Sequence, residues 1–329
     1  TLCPRYCKIG EGQPGFCYIR QNHNGKLYTI GYGRPTGFAI DPIEKKPLNH
    51  FLPGTKVLSF GTAGCNLGCK FCQNWSISKA KLNDDNSLNA SPEDVIKLAR
   101  QYNTPSIAYT YNDPTIFGEY VIDISRLATD VGIKNVLVTA GYIDKEARKE
   151  VYQFADAANV DLKGFTEKFY QKLTFSSLKD VLDTLIWLKN ETDIWFEITT
   201  LLITGENDNP EEIKQECNWV LTNLGDSIPL HFTAFHPDFR MLNKQKTSAK
   251  TLKDARNIAL SMGIKFCYVG NISDDKGQNT YCPNCGFELI KRNWHSILSY
   301  KIKDNSCPKC NCEIPGVYSN HYSKSFPSF

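Results

Sequence analysis

No stretch of the sequence approaches the roughly eighteen consecutive apolar residues that cross a bilayer, and its start has no apolar signal-peptide core. Neither a membrane span nor an export signal is expected, and a cytoplasmic protein is. Net charge is scarce as well. Lys and Arg number 38 against 35 Asp and Glu, leaving +3, too near neutral to argue for nucleic acid or a membrane surface. The cysteines lack the even spread of a disulfide framework. There are 13 in 329 residues, mostly in short-spaced groups, which reads as metal binding in a reducing compartment. Residues 1–53 lack periodicity and are rich in Gly, Pro, Asn and Tyr.

From residue 54 a pattern repeats: a β-rich run, a polar turn, then an amphipathic helix. Strands are expected at 57–60, 106–110, 135–139, 159–162, 194–203, 230–235 and 265–269. Helices are expected at 92–102, 115–131, 144–157, 176–189, 210–224 and 247–262. Ser91-Pro92-Glu93-Asp94 and Asn209-Pro210-Glu211-Glu212 read as helix starts, while Gly132, Gly225 and Gly263 read as stops. This alternation predicts an α/β fold with a parallel sheet, a partial (βα)6 barrel over 54–271, with a flat doubly wound sheet as the alternative. The cysteine-rich segment 1–53 precedes it and a small module, 272–329, follows.

The polar residues fall where such a barrel keeps its chemistry, at the carboxyl ends of the strands. After the first strand comes Cys65-Asn66-Leu67-Gly68-Cys69-Lys70-Phe71-Cys72. Tyr111-Asn112-Asp113-Pro114 follows the second, Asp161-Leu162-Lys163 closes the fourth, and His236-Pro237-Asp238 ends the sixth. Three thiols on one short loop can share one metal centre, and a cubane taking four ligands would keep one iron open for chemistry. A zinc knuckle or packed core cysteines are the plainer alternative.

Two further cysteine groups stand apart. Cys3, Cys7 and Cys17 lie in a segment with little core of its own, where a metal is a natural staple. A second iron–sulfur cluster or a zinc site is one reading, and unliganded cysteines in an irregular lid the other. A fourth ligand would come from before Thr1 or from Cys267. Near the other end, Cys282-Pro283-Asn284-Cys285 and Cys307-Pro308-Lys309-Cys310 form two knuckles. Paired Cys-x2-Cys motifs at this spacing signal a tetrahedral four-sulfur site for zinc, or for mononuclear iron as in rubredoxin. Cys217 sits at helical spacing among apolar residues and reads as core.

The Cys-x3-Cys-x2-Cys spacing, with Phe71 before the last cysteine, resembles the radical S-adenosylmethionine (SAM) superfamily. That resemblance implies a [4Fe-4S] cluster on Cys65, Cys69 and Cys72, with SAM on the open iron and Phe71 near its adenine. Tyr111, Asn112 and Asp113 stand where the superfamily holds the SAM amino group, with Asp113 one methylene shorter than the usual glutamate. Asp161 and Lys163 match an Asp-x-Lys motif of the pyruvate formate-lyase activating enzymes, and His236 a histidine near the ribose. The cysteine block through Trp75, the Tyr109–Thr115 run, His231–Pro237 and Val269-Gly270-Asn271 are most similar to the radical SAM member of the AmmeMemoRadiSam system. The resemblance implies reductive cleavage of SAM to a 5′-deoxyadenosyl radical, an external electron donor, and a protein or RNA substrate. It also implies a functional link to AMMECR-type and Memo-like proteins. A glycyl-radical activase is the alternative enzyme, although Val138-Thr139-Ala140-Gly141 lacks the acid such activases carry there. An electron-transfer or binding scaffold without SAM turnover is the alternative outside enzymes.

Overall fold

Short runs of β-branched and aromatic residues alternate with capped amphipathic helices, and the chain folds accordingly. A computed structural model describes residues 2–318, grouped into two compact units. One comprises 2–41, Lys56–Ile194 and Pro237–Lys244; the other comprises Pro42–Thr55, Trp195–His236 and 245–318. The consecutive segments expected at 1–53, 54–271 and 272–329 are thus shared out between these units.

The first unit contains β1 (Arg20–His23), β2 (Lys26–Thr29), β3 (Thr36–Pro42), β4 (Lys56–Gly61), α1 (Trp75–Ser78), α2 (Pro92–Gln101) and β5 (Ser106–Tyr109). It continues with α3 (Gly118–Asp130), β6 (Lys134–Thr139), α4 (Lys145–Val151), β7 (Ala157–Asp161), α5 (Glu167–Phe169) and α6 (Leu178–Glu191). β4, β5, β6 and β7 pair in that order, all parallel, with Val57 opposite Ser106 and Ser106 opposite Lys134. Val57–Gly61 and all four residues of β5 are buried, as expected for parallel strands covered on both faces.

The helix punctuation works as the sequence suggests. Ser91 and Asp94 form a reciprocal capping box ahead of α2, with Pro92 in its first turn. Gly132 closes the α3 region at φ +75°. The helix expected over 144–157 is shorter, ending at Val151. Asp156 binds the backbone N–H of Asn135 at 2.8 Å and Lys134 Nζ at 2.7 Å. That tie fixes the chain for β7, which starts at Ala157 instead of inside a helix. A π-helical turn at Tyr170–Thr174, ending on Phe175 at φ +55°, has no counterpart in the sequence reading.

The second unit contains β8 (Trp195–Leu202), α7 (Pro210–Asn223), β9 (Leu230–Ala234), α8 (Ala249–Met262) and β10 (Cys267–Gly270). β8, β9 and β10 are parallel, Ile198 facing Leu230 and Leu230 facing Cys267. An antiparallel ribbon follows, of β11 (Thr280–Tyr281), β12 (Glu288–Asn293) and β13 (Ser296–Tyr300). Leu289, Ile290, Ile302 and Ile314 pack with Phe266, Tyr268, Cys282 and Cys307. A buried polar network lies in this unit. Glu197, fully buried, accepts from the N–H groups of Asn49 (3.0 Å) and His50 (2.7 Å) and pairs with His231 Nε2 at 2.6 Å. It satisfies an irregular segment that strands alone would leave unpaired.

Candidate metal and cofactor site

The cysteine loop leaves β4 where only glycine fits. A side chain on Gly61 would begin 2.4 Å from the Thr110 carbonyl oxygen and 2.7 Å from Asn112 Oδ1. This close approach lets Asn112 Nδ2 donate to the carbonyls of Thr62 (2.6 Å) and Gly64 (2.8 Å), stitching the loop entry to the turn after β5. Farther along, Gly68 and Lys70 donate to the carbonyls of Thr174 and Leu173 at 2.8 and 2.9 Å, so the π-helical turn is the loop's far support. Lys79 Nζ holds the Leu67 carbonyl at 2.6 Å, and Asn66 Nδ2 the Tyr142 carbonyl at 2.9 Å. A loop fastened on every side keeps its ligands preorganised.

Cys65, Cys69 and Cys72 line one cavity of about 120 Å³, together with Thr110–Asp113, Val138–Ala140, Asp161 and Lys163. The Leu67 N–H approaches Cys65 Sγ at 3.4 Å, and Ser78 Oγ lies 3.0 Å from Cys72 Sγ. Burial pushes the thiols of Cys65 and Cys69 up, to about 12 and about 11. Burial disfavours the bare thiolates, so only a bound cation would hold these groups deprotonated. Lys163 Nζ pairs with Asp161 Oδ2 at 2.8 Å. Burial pulls its ammonium down, but Asp161 and Cys69 outweigh that and hold it above its ordinary value. A charged ammonium and a carboxylate thus face the thiols across one small space, a donor set that fits a metal cluster with a zwitterionic ligand.

Other expected residues take different places. Asp113 is buried, and both its oxygens are engaged: Oδ1 accepts from Thr115 N–H at 3.0 Å, Oδ2 from Thr139 Oγ1 at 3.0 Å and Ala140 N–H at 2.8 Å. Its carboxylate braces the ends of β5 and β6 within the cavity wall. Tyr111 adopts φ +71° and its carbonyl accepts from Asn74 Nδ2 at 3.0 Å; a bulky residue there is strained. Phe71 is buried against Phe169, ring centres 5.8 Å apart, and is not among the cavity's lining residues. His236 is exposed in the second unit, just beyond β9. Leu67, Asn74, Ser78 and Lys79 complete the lining; no motif marks Ser78 or Lys79, which reach the site by lying on and after α1.

The carboxyl-terminal knuckles converge as their spacing demands: the sulfurs of Cys282, Cys285, Cys307 and Cys310 all lie within 4.8 Å of one another. That closeness is compatible with a single tetrahedral ion. Cys217 is buried on α7, as expected of a core residue, and Cys267 is buried in β10 of the same unit. Burial pushes the Cys3 thiol up, to about 11.

Comparison with known proteins adds three findings. A family model described as "Radical SAM superfamily" matches residues 60–217. An uncharacterized protein of Methanocaldococcus jannaschii is 42% identical over 95% of this chain and 93% of its own, and the pyruvate formate-lyase-activating enzyme of Clostridium pasteurianum is 21% identical over 56% of this chain and 76% of its own. In fold, a radical SAM methyltransferase from Sphaerobacter thermophilus is similar at a TM-score of 0.55, with 16% identity, covering 69% of this chain and 71% of that one.

Proposed function

The chain belongs to the radical SAM superfamily and is related to pyruvate formate-lyase activating enzymes, and from that premise we propose that it is a SAM-cleaving enzyme acting on a protein or RNA. The observation that carries this reading is the convergence of Cys65, Cys69 and Cys72 with Asp161 and Lys163 on one cavity. Cys65, Cys69 and Cys72 would hold the [4Fe-4S] cluster that the family implies. When bound, that cluster supplies the electron that splits SAM into methionine and a 5′-deoxyadenosyl radical.

The chain's own residues bind and orient. Lys163 suits the SAM carboxylate, and Asp161 its ammonium. Asp113 positions: by holding Thr139 and Ala140 it fixes the wall opposite the cysteines. Asn112 acts the same way on the loop entry. Tyr111, at φ +71° and partly buried, lines the same cavity. His236 remains assigned to the ribose and Phe71 to the adenine side by the motif match alone.

Within the superfamily the motif set supports the AmmeMemoRadiSam branch, with AMMECR-type and Memo-like proteins as functional partners and an external reductant as electron donor. The four knuckle thiols suit zinc. All 13 cysteines are unbridged, which supports a reducing, cytoplasmic setting; among the described residues no helix is long and apolar enough to cross a membrane.

The test is turnover. Protein reconstituted anaerobically with iron and sulfide, then given reductant and SAM, should release 5′-deoxyadenosine, and Cys69→Ala should abolish it. Iron-loaded, reduced wild type that leaves SAM intact overturns the reading and leaves the scaffold alternative. A second reading, a glycyl-radical activase, draws on the similarity to the Clostridium enzyme. Val138 and Ala140 line the cavity where those activases carry an acid, so a glycine-centred radical on an added partner is not expected.

A further inference from the structure

We propose that Cys3, Cys7 and Cys17 hold a second iron–sulfur cluster, set against the loop that carries Cys65, Cys69 and Cys72. The proposal goes beyond the SAM reading and does not need it.

The local backbone is that of a ligand site. Tyr6 N–H bonds to the Cys3 carbonyl at 3.2 Å and adopts φ +44°, turning Cys7 back beside Cys3. A side chain at Gly15 would begin 3.8 Å from Cys7 Cβ, and Cys17 follows two residues later. Tyr18 N–H then bonds to the Gly15 carbonyl at 2.9 Å, with Tyr18 at φ +65°. Two tyrosines in the left-handed region, each next to a cysteine, cost about 1–2 kcal/mol apiece, and such strain concentrates at ligand sites. The carboxyl-terminal knuckles do the same with cheaper residues: Gly286 at φ +70° follows Cys285, and Asn311 at φ +57° follows Cys310.

A second feature recurs at four of the seven thiols assigned to a metal by spacing. The N–H two residues onward donates to the sulfur: Leu67 to Cys65, Asn284 to Cys282, Phe287 to Cys285, Cys312 to Cys310. Arg5 does this for Cys3. Hydrogen bonds of this kind stabilise thiolates and tune clusters.

Spacing separates a cluster from a single ion. The four knuckle sulfurs close to within 4.8 Å, and among the described residues no other group of three or more potential ligands does. Cys3, Cys7 and Cys17 share one folded-back segment without that closeness, and the loop thiols share one cavity without it. Both trios suit a body whose ligands bind different iron atoms.

The two trios touch through backbone. The Cys17 carbonyl oxygen would lie 2.0 Å from a side chain on Gly64, the residue before Cys65, and Gly64 takes φ +88° to admit it. Arg5, stacked 3.5 Å over the Phe16 ring, donates to the carbonyls of Asn66 and Phe175. Reduced clusters this close should couple their electron spins.

The full chain, reconstituted anaerobically with ferrous iron and sulfide, is assayed for iron, sulfide and its electron paramagnetic resonance. About eight cluster irons are expected, with a broadened, coupled signal when fully reduced. Cys65→Ala/Cys69→Ala/Cys72→Ala should keep about half of that iron and a narrow signal, and so should Cys3→Ala/Cys7→Ala/Cys17→Ala. The proposal is overturned if the loop variant, native by circular dichroism, binds no cluster iron, or if the amino-terminal variant keeps all of it. Should either triple variant misfold, Cys7→Ser decides, because Cys7 is exposed: unchanged iron with an unaltered signal sinks the idea. Loss of 5′-deoxyadenosine formation with this iron intact would refute only the SAM reading.

Discussion

Asp113 offers the sharpest separation of a brace from a ligand. Its two oxygens receive the backbone N–H groups of Thr115 and Ala140 and the hydroxyl of Thr139, at 2.8–3.0 Å, in a buried setting. In Asp113→Asn, whichever way the amide turns, one backbone N–H must face an NH2 group. A lost charge-assisted bond and a stranded buried donor together cost about 2–3 kcal/mol, or roughly 3–4 °C of melting temperature for a chain of this size. Asp113→Ala strands both backbone donors and should cost about 3–5 kcal/mol. The Thr139 hydroxyl suffers less, since Tyr152 Oη lies 3.4 Å away. Calorimetry or thermal unfolding monitored by circular dichroism, on protein free of cluster, isolates this effect from cofactor binding. The reasoning is refuted if Asp113→Asn melts with the wild type and only its KM for SAM rises, for then the carboxylate is a ligand and the bonds to Thr139 and Ala140 are incidental.

Three further outcomes are expected. Lys163→Met, which keeps the side-chain bulk but removes the ammonium, should raise the KM for SAM about tenfold or more through loss of a charge-assisted contact; an unchanged KM in 5′-deoxyadenosine assays would remove Lys163 from the site. A strong chelator should extract about one metal ion per chain from the four carboxyl-terminal thiols and expose residues 280–318 to proteolysis and hydrogen exchange. A ribbon this small holds together chiefly through its ion, so protection that survives metal loss contradicts the assignment. The third concerns pH. Burial pulls the His50 imidazole down to about 4, against the opposing pull of Glu197, while in the unfolded chain it titrates near 6.5. Between those values the unfolded state binds more protons, so stability falls as pH drops from about 6.5 to 4, by up to about 3 kcal/mol. Glu216, pushed up to about 8 by burial, works in the opposite direction, so the measurement is the difference between wild type and His50→Gln in urea unfolding. Equal slopes across that pH range would show that His50 does not titrate as its surroundings require.

Much of this protein was legible in its sequence because the relevant order is local. The eight-residue cysteine loop, the paired knuckles, the Ser91 box, and the stop at Gly132 are set by spacing along the chain and by backbone preference. Strand–helix alternation is likewise written in short-range hydrophobic pattern, and it gave the parallel sheet. Some local signals misled: helical periodicity ran past Val151 because nothing nearby announces that Asp156 will bind Asn135.

What only the tertiary structure decided are the jobs that depend on where the chain returns. Asp113 stands in a motif position for a ligand, yet its partners at Thr139 and Ala140 come from the end of the next strand. Lys79 and Ser78 enter the cavity without any motif, and the π-helical turn that supports the loop has no periodic signature. The Cys17 carbonyl over Gly64 joins two cysteine groups that the sequence keeps nearly fifty residues apart. Covalent spacing fixes which atoms can share one loop; long-range hydrogen bonds and close packing settle which atoms share one site, and those exist only once the strands have paired.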